Sequence, residues 1–243
     1  MRQALEQRFP DAMPLLYRTT ESVATGVAEL DRILPGGGLP RGRLVVWRSG
    51  GGARAVLWSA CEQVVSRGER AAWVDASGVV SVTSVSGGSG WYGGGRSGVS
   101  SGRGERAPLL VHPSGSVEAL ACAEDLLRSG GFGLVVLVGV PDPPESAGVR
   151  LSRAASAGGG AFVQVGGASP VAGLRLSSRI VPAAYRWFWD AFGGVAEVES
   201  VGVEVEVAGL GLSARTEFRL RVMPYEVRMS LDAGLVDRRG AGR

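Results

Sequence analysis

The sequence predicts an α/β fold: a mostly parallel sheet flanked by helices, closed by a C-terminal antiparallel meander. Three observations predict it. Short apolar runs, RLVVW at 43–47 and LVVLV at 134–138, read as strands covered on both faces. Segments of helical spacing separate such runs, the rhythm of a parallel sheet with helical crossovers. The last third changes to strict alternation of apolar and polar residues, which is the period of half-buried antiparallel strands.

Each element follows from local chemistry. Residues 2–9, RQALEQRF, read as a short helix ended by Pro10, making 1–20 an arm ahead of a core over 21–243. In 26–34, GVAELDRIL, Val27, Leu30, Ile33 and Leu34 fall at helical spacing, and PGGGLPRG then makes a rigid turn. The strand 43–47 runs through RSGGGAR into a helix from about Ala53 to Arg67, with Gly68 placed to end it. AAWVD at 71–75 is the next strand. From Ser77 to Arg106, Gly and Ser supply 18 of 30 residues, which marks a low-complexity insertion. LLV at 109–111, a helix from Ser116 as N-cap to about Arg128, the strand 134–138, a helix around 146–157 and the strand AFVQV at 161–165 continue the α/β order. The aromatic segment 183–192, with Trp187, Phe188, Trp189 and Phe192, reads as packing rather than a ligand cage. Over 195–235 three alternating strands form the meander, with Glu204 and Glu206 facing Arg219 and Arg221 across the first pair. The tail RRGAGR is basic.

Composition narrows the chemistry. The chain has 243 residues, 45% of them hydrophobic, enough for one domain with a substantial core. All 26 basic residues are arginine, so Schiff-base and lysine general-base mechanisms have no amine to use. One histidine, His112, and two cysteines, Cys61 and Cys122, cannot furnish a multi-ligand zinc site across their spacing. No metal and no cofactor is therefore expected. The longest apolar run, 134–138, is too short to span a bilayer, and the opening MRQALEQRFPDA has no apolar leader core. Two cysteines in helical contexts suit a reducing cytoplasm. A net charge of +3 permits contact with DNA without requiring it. The absence of lysine and asparagine alongside 39 glycines also has a plain reading as a bias toward GC-rich codons.

Two stretches carry a family resemblance. TGVAELDRILPGGGLPRGRLVVW, residues 25–47, resembles the approach to the phosphate-binding loop of RecA recombinases. LLVHPSGSVEALACAEDLLRSGGFGLVVLV, residues 109–138, resembles the helix and strand that precede their metal-binding acid. The likeness covers roughly residues 1–165 and implies a RecA-like core of the P-loop NTPase type. Among RecA relatives the chain is most similar to the ImuA family, accessory proteins of bacterial damage-induced mutagenesis.

The resemblance also shows what is missing. A P-loop works through backbone N–H groups around the phosphates, a lysine on the terminal phosphates and a hydroxyl on Mg²⁺. Here the loop is Arg48-Ser49-Gly50-Gly51-Gly52-Ala53-Arg54-Ala55, shorter than the family's by about two residues. Ser49, Gly50, Gly51, Gly52 and Arg54 form a degenerate nucleotide site in which Arg54 is the only cation near the lysine position and Ala55 offers no hydroxyl. The family's acid after 134–138 falls near Val138–Gly139, where there is none, and Asp142 lies beyond Pro141. Ser77 stands where the family has an activating Glu after AAWVD, and Asp75 reads as a strand-ending residue. Gln164 falls near a nucleotide-sensing Gln of the family and reads as a strand-end hydrogen-bonder; His112, at a strand's C-terminal end, lacks the partners of a catalytic histidine.

The expected function is therefore non-catalytic: a pseudo-ATPase adaptor in the SOS-type DNA damage response and translesion synthesis. The resemblance implies an ImuB-like Y-family polymerase homologue as partner and, through it, an error-prone DNA polymerase. It also implies head-to-tail self-association, with Leu5 and Phe9 on one face of the arm as docking residues. Two alternatives stand beside this reading. One is a single-stranded DNA-binding accessory factor using 77–106, with Trp91 and Tyr92, and the C-terminal arginines. The other is a SulA-like inhibitor of cell division.

Overall fold

A computed structural model describes residues 21–48, 51–78, 107–141, 143–189 and 194–221. Its element order is β1 (Ser22–Val23), α1 (Ala28–Ile33), β2 (Leu39–Pro40), β3 (Leu44–Arg48), α2 (Ala53–Ser66), β4 (Ala71–Asp75), β5 (Leu109–Val111), α3 (Ser116–Arg128), β6 (Leu134–Val138), α4 (Glu145–Gly158), β7 (Ala161–Val165), β8 (Leu174–Trp189), β9 (Val195–Gly209) and β10 (Leu212–Arg221). The chain is thus α/β. An eight-stranded sheet in the order β10-β9-β8-β3-β7-β6-β4-β5 forms its centre. β8, β3, β7, β6, β4 and β5 run parallel, while β8–β9 and β9–β10 are antiparallel.

Period two divides the central strands between two cores. Val45 and Trp47 of β3, Trp73 of β4, Val136 of β6 and Val163 of β7 point toward α1 and α2. Leu44, Val46, Val74, Val135, Leu137 and Phe162 point toward α3 and α4. A strand buried on both sides needs apolar side chains at every position, which is why β3 and β6 read as unbroken runs. Each fully buried Leu or Phe contributes roughly 1.5–3 kcal/mol. α2 places Val56, Leu57, Ala60, Cys61 and Val64 against the sheet, and Gly68, at φ +84°, follows its C-cap.

Several expectations change. Ser116 does not cap α3: the N-cap is Gly115, and Ser114 instead donates its backbone N–H and hydroxyl to Glu118. β8 is a 16-residue strand that includes most of the aromatic segment expected to serve as packing. Tyr185, Trp187 and Trp189 are 38%, 48% and 58% exposed, the reverse of that expectation. The reason is length: β3 pairs with β8 only as far as Ser177, and Ile180 is the last described β8 residue that packs against the α2-side core. The cross-strand pairing is also different. The tight turn at Leu210–Gly211 sets Arg215 opposite Glu206, Glu217 opposite Glu204 and Arg219 opposite Gly202. Glu204 is held instead by Arg215 and, across the other neighbour, by Arg179 (Nε to Oε1 2.7 Å). The third meander strand, the arm 1–20, Trp91 and Tyr92 of the insertion and Phe192 lie outside the described residues.

Candidate functional site

Open α/β sheets bind ligands beyond the C-terminal ends of their strands. At that edge lie the β3–α2 turn, Asp75 and Ser77 after β4, His112 after β5, Gly139 after β6 and Gln164 near the end of β7.

The turn is built by close packing. Gly51 and Gly52 have φ of +107° and +79°, where L-residues are strained. A Cβ on Gly51 would come within 2.7 Å of Ile180 Cγ1, and one on Gly52 within 3.0 Å of Val203 and 3.1 Å of Leu220. The side chains pressed against these glycines are therefore apolar ones from β8, β9 and β10. Below them, the Trp47 indole Nε1–H donates to Ser178 Oγ (3.0 Å), and the Ser178 hydroxyl donates to the Gly51 carbonyl (2.8 Å). This chain of two bonds ties the buried end of β3 to the turn through β8. Ser49 and Gly50 lie outside the described residues. Arg54, in the first turn of α2, is exposed and makes no ion pair among the described residues. Ala55 packs against the α2-side core and carries no oxygen to a metal.

The position expected for an acid after β6 is closed to one. Gly139 has φ +84°, and a Cβ there would lie on the Ser77 backbone nitrogen and 2.8 Å from Ser77 Cβ. The exits of β4 and β6 are in contact, with Ala76 N–H donating to the Val138 carbonyl (2.9 Å). Val138 itself belongs to the α2-side core. Asp75, opposite Val138 and 1% exposed, accepts the Ser77 backbone N–H (2.8 Å) and the Ser77 hydroxyl. Its carboxylate shapes the turn leaving β4, as a strand-ending residue does.

The remaining candidates are not brought together with the turn. Gln164 is fully buried beside Val46 and Leu137 on the α3/α4 face, the side opposite the α2 face. Its Nε2 donates a single long bond to the Gly166 carbonyl (3.4 Å), and its Oε1 has no partner among the described residues. His112 follows β5, four strands from β3 and so about 19 Å away at the usual strand spacing. It is exposed and makes no hydrogen bond among the described residues. The cysteines are not poised as nucleophiles. Burial, then the charge of Glu62, pushes the Cys61 thiol far up. Burial, then Asp125 and Glu118, raises that of Cys122. Among the described residues no three His, Cys, Asp or Glu side chains gather as metal ligands. Leu5 and Phe9 of the arm and Asp142 lie outside the described residues.

Residue reading of the loop missed Ser178 and Ile180. Their signal was the alternation Leu174, Leu176, Ser178, Ile180, a strand pattern whose apolar face meets the glycines. No family model and no curated protein matches the chain. No helix among the described residues is long and apolar enough to cross a membrane.

Proposed function

We propose that the chain is a non-catalytic RecA-like adaptor of the bacterial DNA damage response, acting in translesion mutagenesis by binding an ImuB-like polymerase homologue. One observation carries the loss of catalysis. The glycines of the β3–α2 turn are packed against Ile180, Val203 and Leu220, and Gly51 gives its carbonyl to Ser178. A turn held in this way has a structural reason for its glycines that requires no phosphate. The glycine at 139, pressed on Ser77, supports the same reading for the missing acid. Lysine, hydroxyl and acids are the parts that phosphoryl transfer uses. The parallel sheet with helices on both faces and the turn-bearing β3 at its centre fits a RecA-like core.

The nucleotide half is tested by thermal unfolding with ATP and Mg²⁺. An unchanged midpoint is expected, since only a ligand bound to the folded state raises it. A rise that Arg54→Ala abolishes overturns the pseudo-ATPase reading. The partner half is tested by pull-down with an ImuB-like protein. Stoichiometric capture supports the adaptor; no capture by the intact chain, with filamentous cells on overexpression, favours the cell-division inhibitor.

A further inference from the structure

We propose that the distal half of the β8–β9 hairpin is a docking edge for a protein partner. It takes up an extended peptide that joins β8 as a third strand and alternates apolar with acidic residues. The β3–α2 turn flanks β8 at Ser178 and Ile180. Past Ile180, β8 has no partner on its β3 side, and before Ser200, β9 has none on its β10 side, among the described residues. The β8–β9 pairing shifts register between Val181 and Arg186, Arg186 and Trp187, and Phe188 and Trp189. What projects past the sheet is a two-stranded ribbon. Such a ribbon is marginal in water by itself and gains stability from a third strand or a packed face. Its open β8 edge offers backbone N–H and C=O groups to an incoming strand.

The two faces specify the occupant. Trp187 sits opposite Val198, which packs against the α2-side core, so this face continues the apolar side of the sheet outward. Tyr185 and Trp187 stack on it, with ring centroids 6.1 Å apart and planes at 22°, and Trp189 is exposed beyond a register shift. On the other face of β8, Arg186 stands opposite Ser200. It is exposed and makes no ion pair among the described residues. An added strand thus meets aromatic rings with one set of alternate side chains and the Arg186 guanidinium with the other. Trp, Tyr and Arg are the residues in which binding energy concentrates at protein interfaces. A nucleic acid would also stack on the rings, but it cannot use the open backbone edge, so a peptide is the better fit.

The proposal deepens the adaptor reading, and rests on it only in taking the occupant to be a protein. Its test therefore uses a synthetic probe rather than the cellular partner. An eight-residue peptide of alternating valine and glutamate is titrated against the full chain while tryptophan fluorescence is followed. Saturable binding is expected, weakened about 10-fold or more by Trp187→Ala with Trp189→Ala. Binding is expected to be abolished when alternate amides of the peptide are N-methylated. A valine–lysine peptide is expected to bind at least 10-fold more weakly, and Arg186→Glu to reverse that order. These side chains are exposed, and unchanged far-ultraviolet dichroism checks that the variants fold. Failure of the glutamate peptide to bind, equal binding of both peptides, or indifference to the tryptophan changes overturns the proposal. So does tighter binding of oligothymidine at the same tryptophans, or a concentration-dependent dimer that Trp187→Ala dissolves. Peptide binding with a failed ImuB-like pull-down would leave this surface standing and remove the partner's identity; the reverse result would do the opposite.

Discussion

Two residues show how much a single position can decide. Gly139 is a plain loop glycine in the sequence, yet it stands where an acid is expected. Gly139→Asp places a side chain on the Ser77 backbone at a φ of +84°. Strain and overpacking together predict a loss of about 2–4 kcal/mol in urea unfolding, with no gain of ATP hydrolysis. Gly159→Ala is the control, at a φ of +74° with open space around it, and is expected to cost only about 1 kcal/mol. Glu62 carries the clearest pH signature. Burial raises its carboxyl above 4.5, partly offset by the Trp58 indole N–H that donates to Oε1 (3.2 Å). The folded chain therefore keeps this proton to higher pH than the unfolded chain. Its contribution to stability is present below the unfolded value and lost as pH rises from 4.5 through the raised one. Glu62→Gln is expected to remove that decline from a series of unfolding curves at increasing pH. None of these roles was legible at the residues themselves: a positive φ leaves only a glycine in the sequence, and a half-buried glutamate looks like any other helical acid.

Elements were easier to read than their partners. The helix over 53–66 follows from spacing, and the strands 71–75, 109–111, 134–138 and 161–165 match the runs that predict them. Register did not follow. Alternation places Glu204 and Glu206 on the face that carries Arg215, Glu217, Arg219 and Arg221, but a turn of two residues decides which of these meet. The result is an ion cluster in which Glu204 is nearly buried and its partners Arg179 and Arg215 are largely exposed. That asymmetry gives a prediction for the β8–β10 element. Glu204→Gln leaves two solvated arginines and should cost about 1–3 kcal/mol. Arg179→Ala with Arg215→Ala strands a buried carboxylate and should cost more, about 3–5 kcal/mol. Chemical denaturation of the two variants checks the order; a larger loss from Glu204→Gln would contradict it.

At the scale of the molecule, the two cores share the central sheet. β3, β6 and β7 are covered on both faces, whereas Tyr185, Trp187 and Trp189 at the end of β8 are exposed. Hydrogen exchange should reflect this division. Amides of Val45, Val136 and Val163 are expected to exchange only through global unfolding, and those of 185–189 through local opening orders of magnitude faster. Uniform protection across both groups would contradict the description of the hairpin end as a free ribbon. The sequence by itself determined the α/β class, because burial on one face or two writes its period directly into the chain. It also determined the absence of lysine, and so the chemistries that need one. Only the tertiary structure decided what the glycine turn rests on, that Gln164 faces away from the α2 side, and that three aromatic rings stand exposed at the end of β8 beside Arg186. Each of these depends on which strands lie side by side and where a neighbour stops. Period carries the face of a residue, but strand order and strand length are set by contacts between segments far apart in the chain.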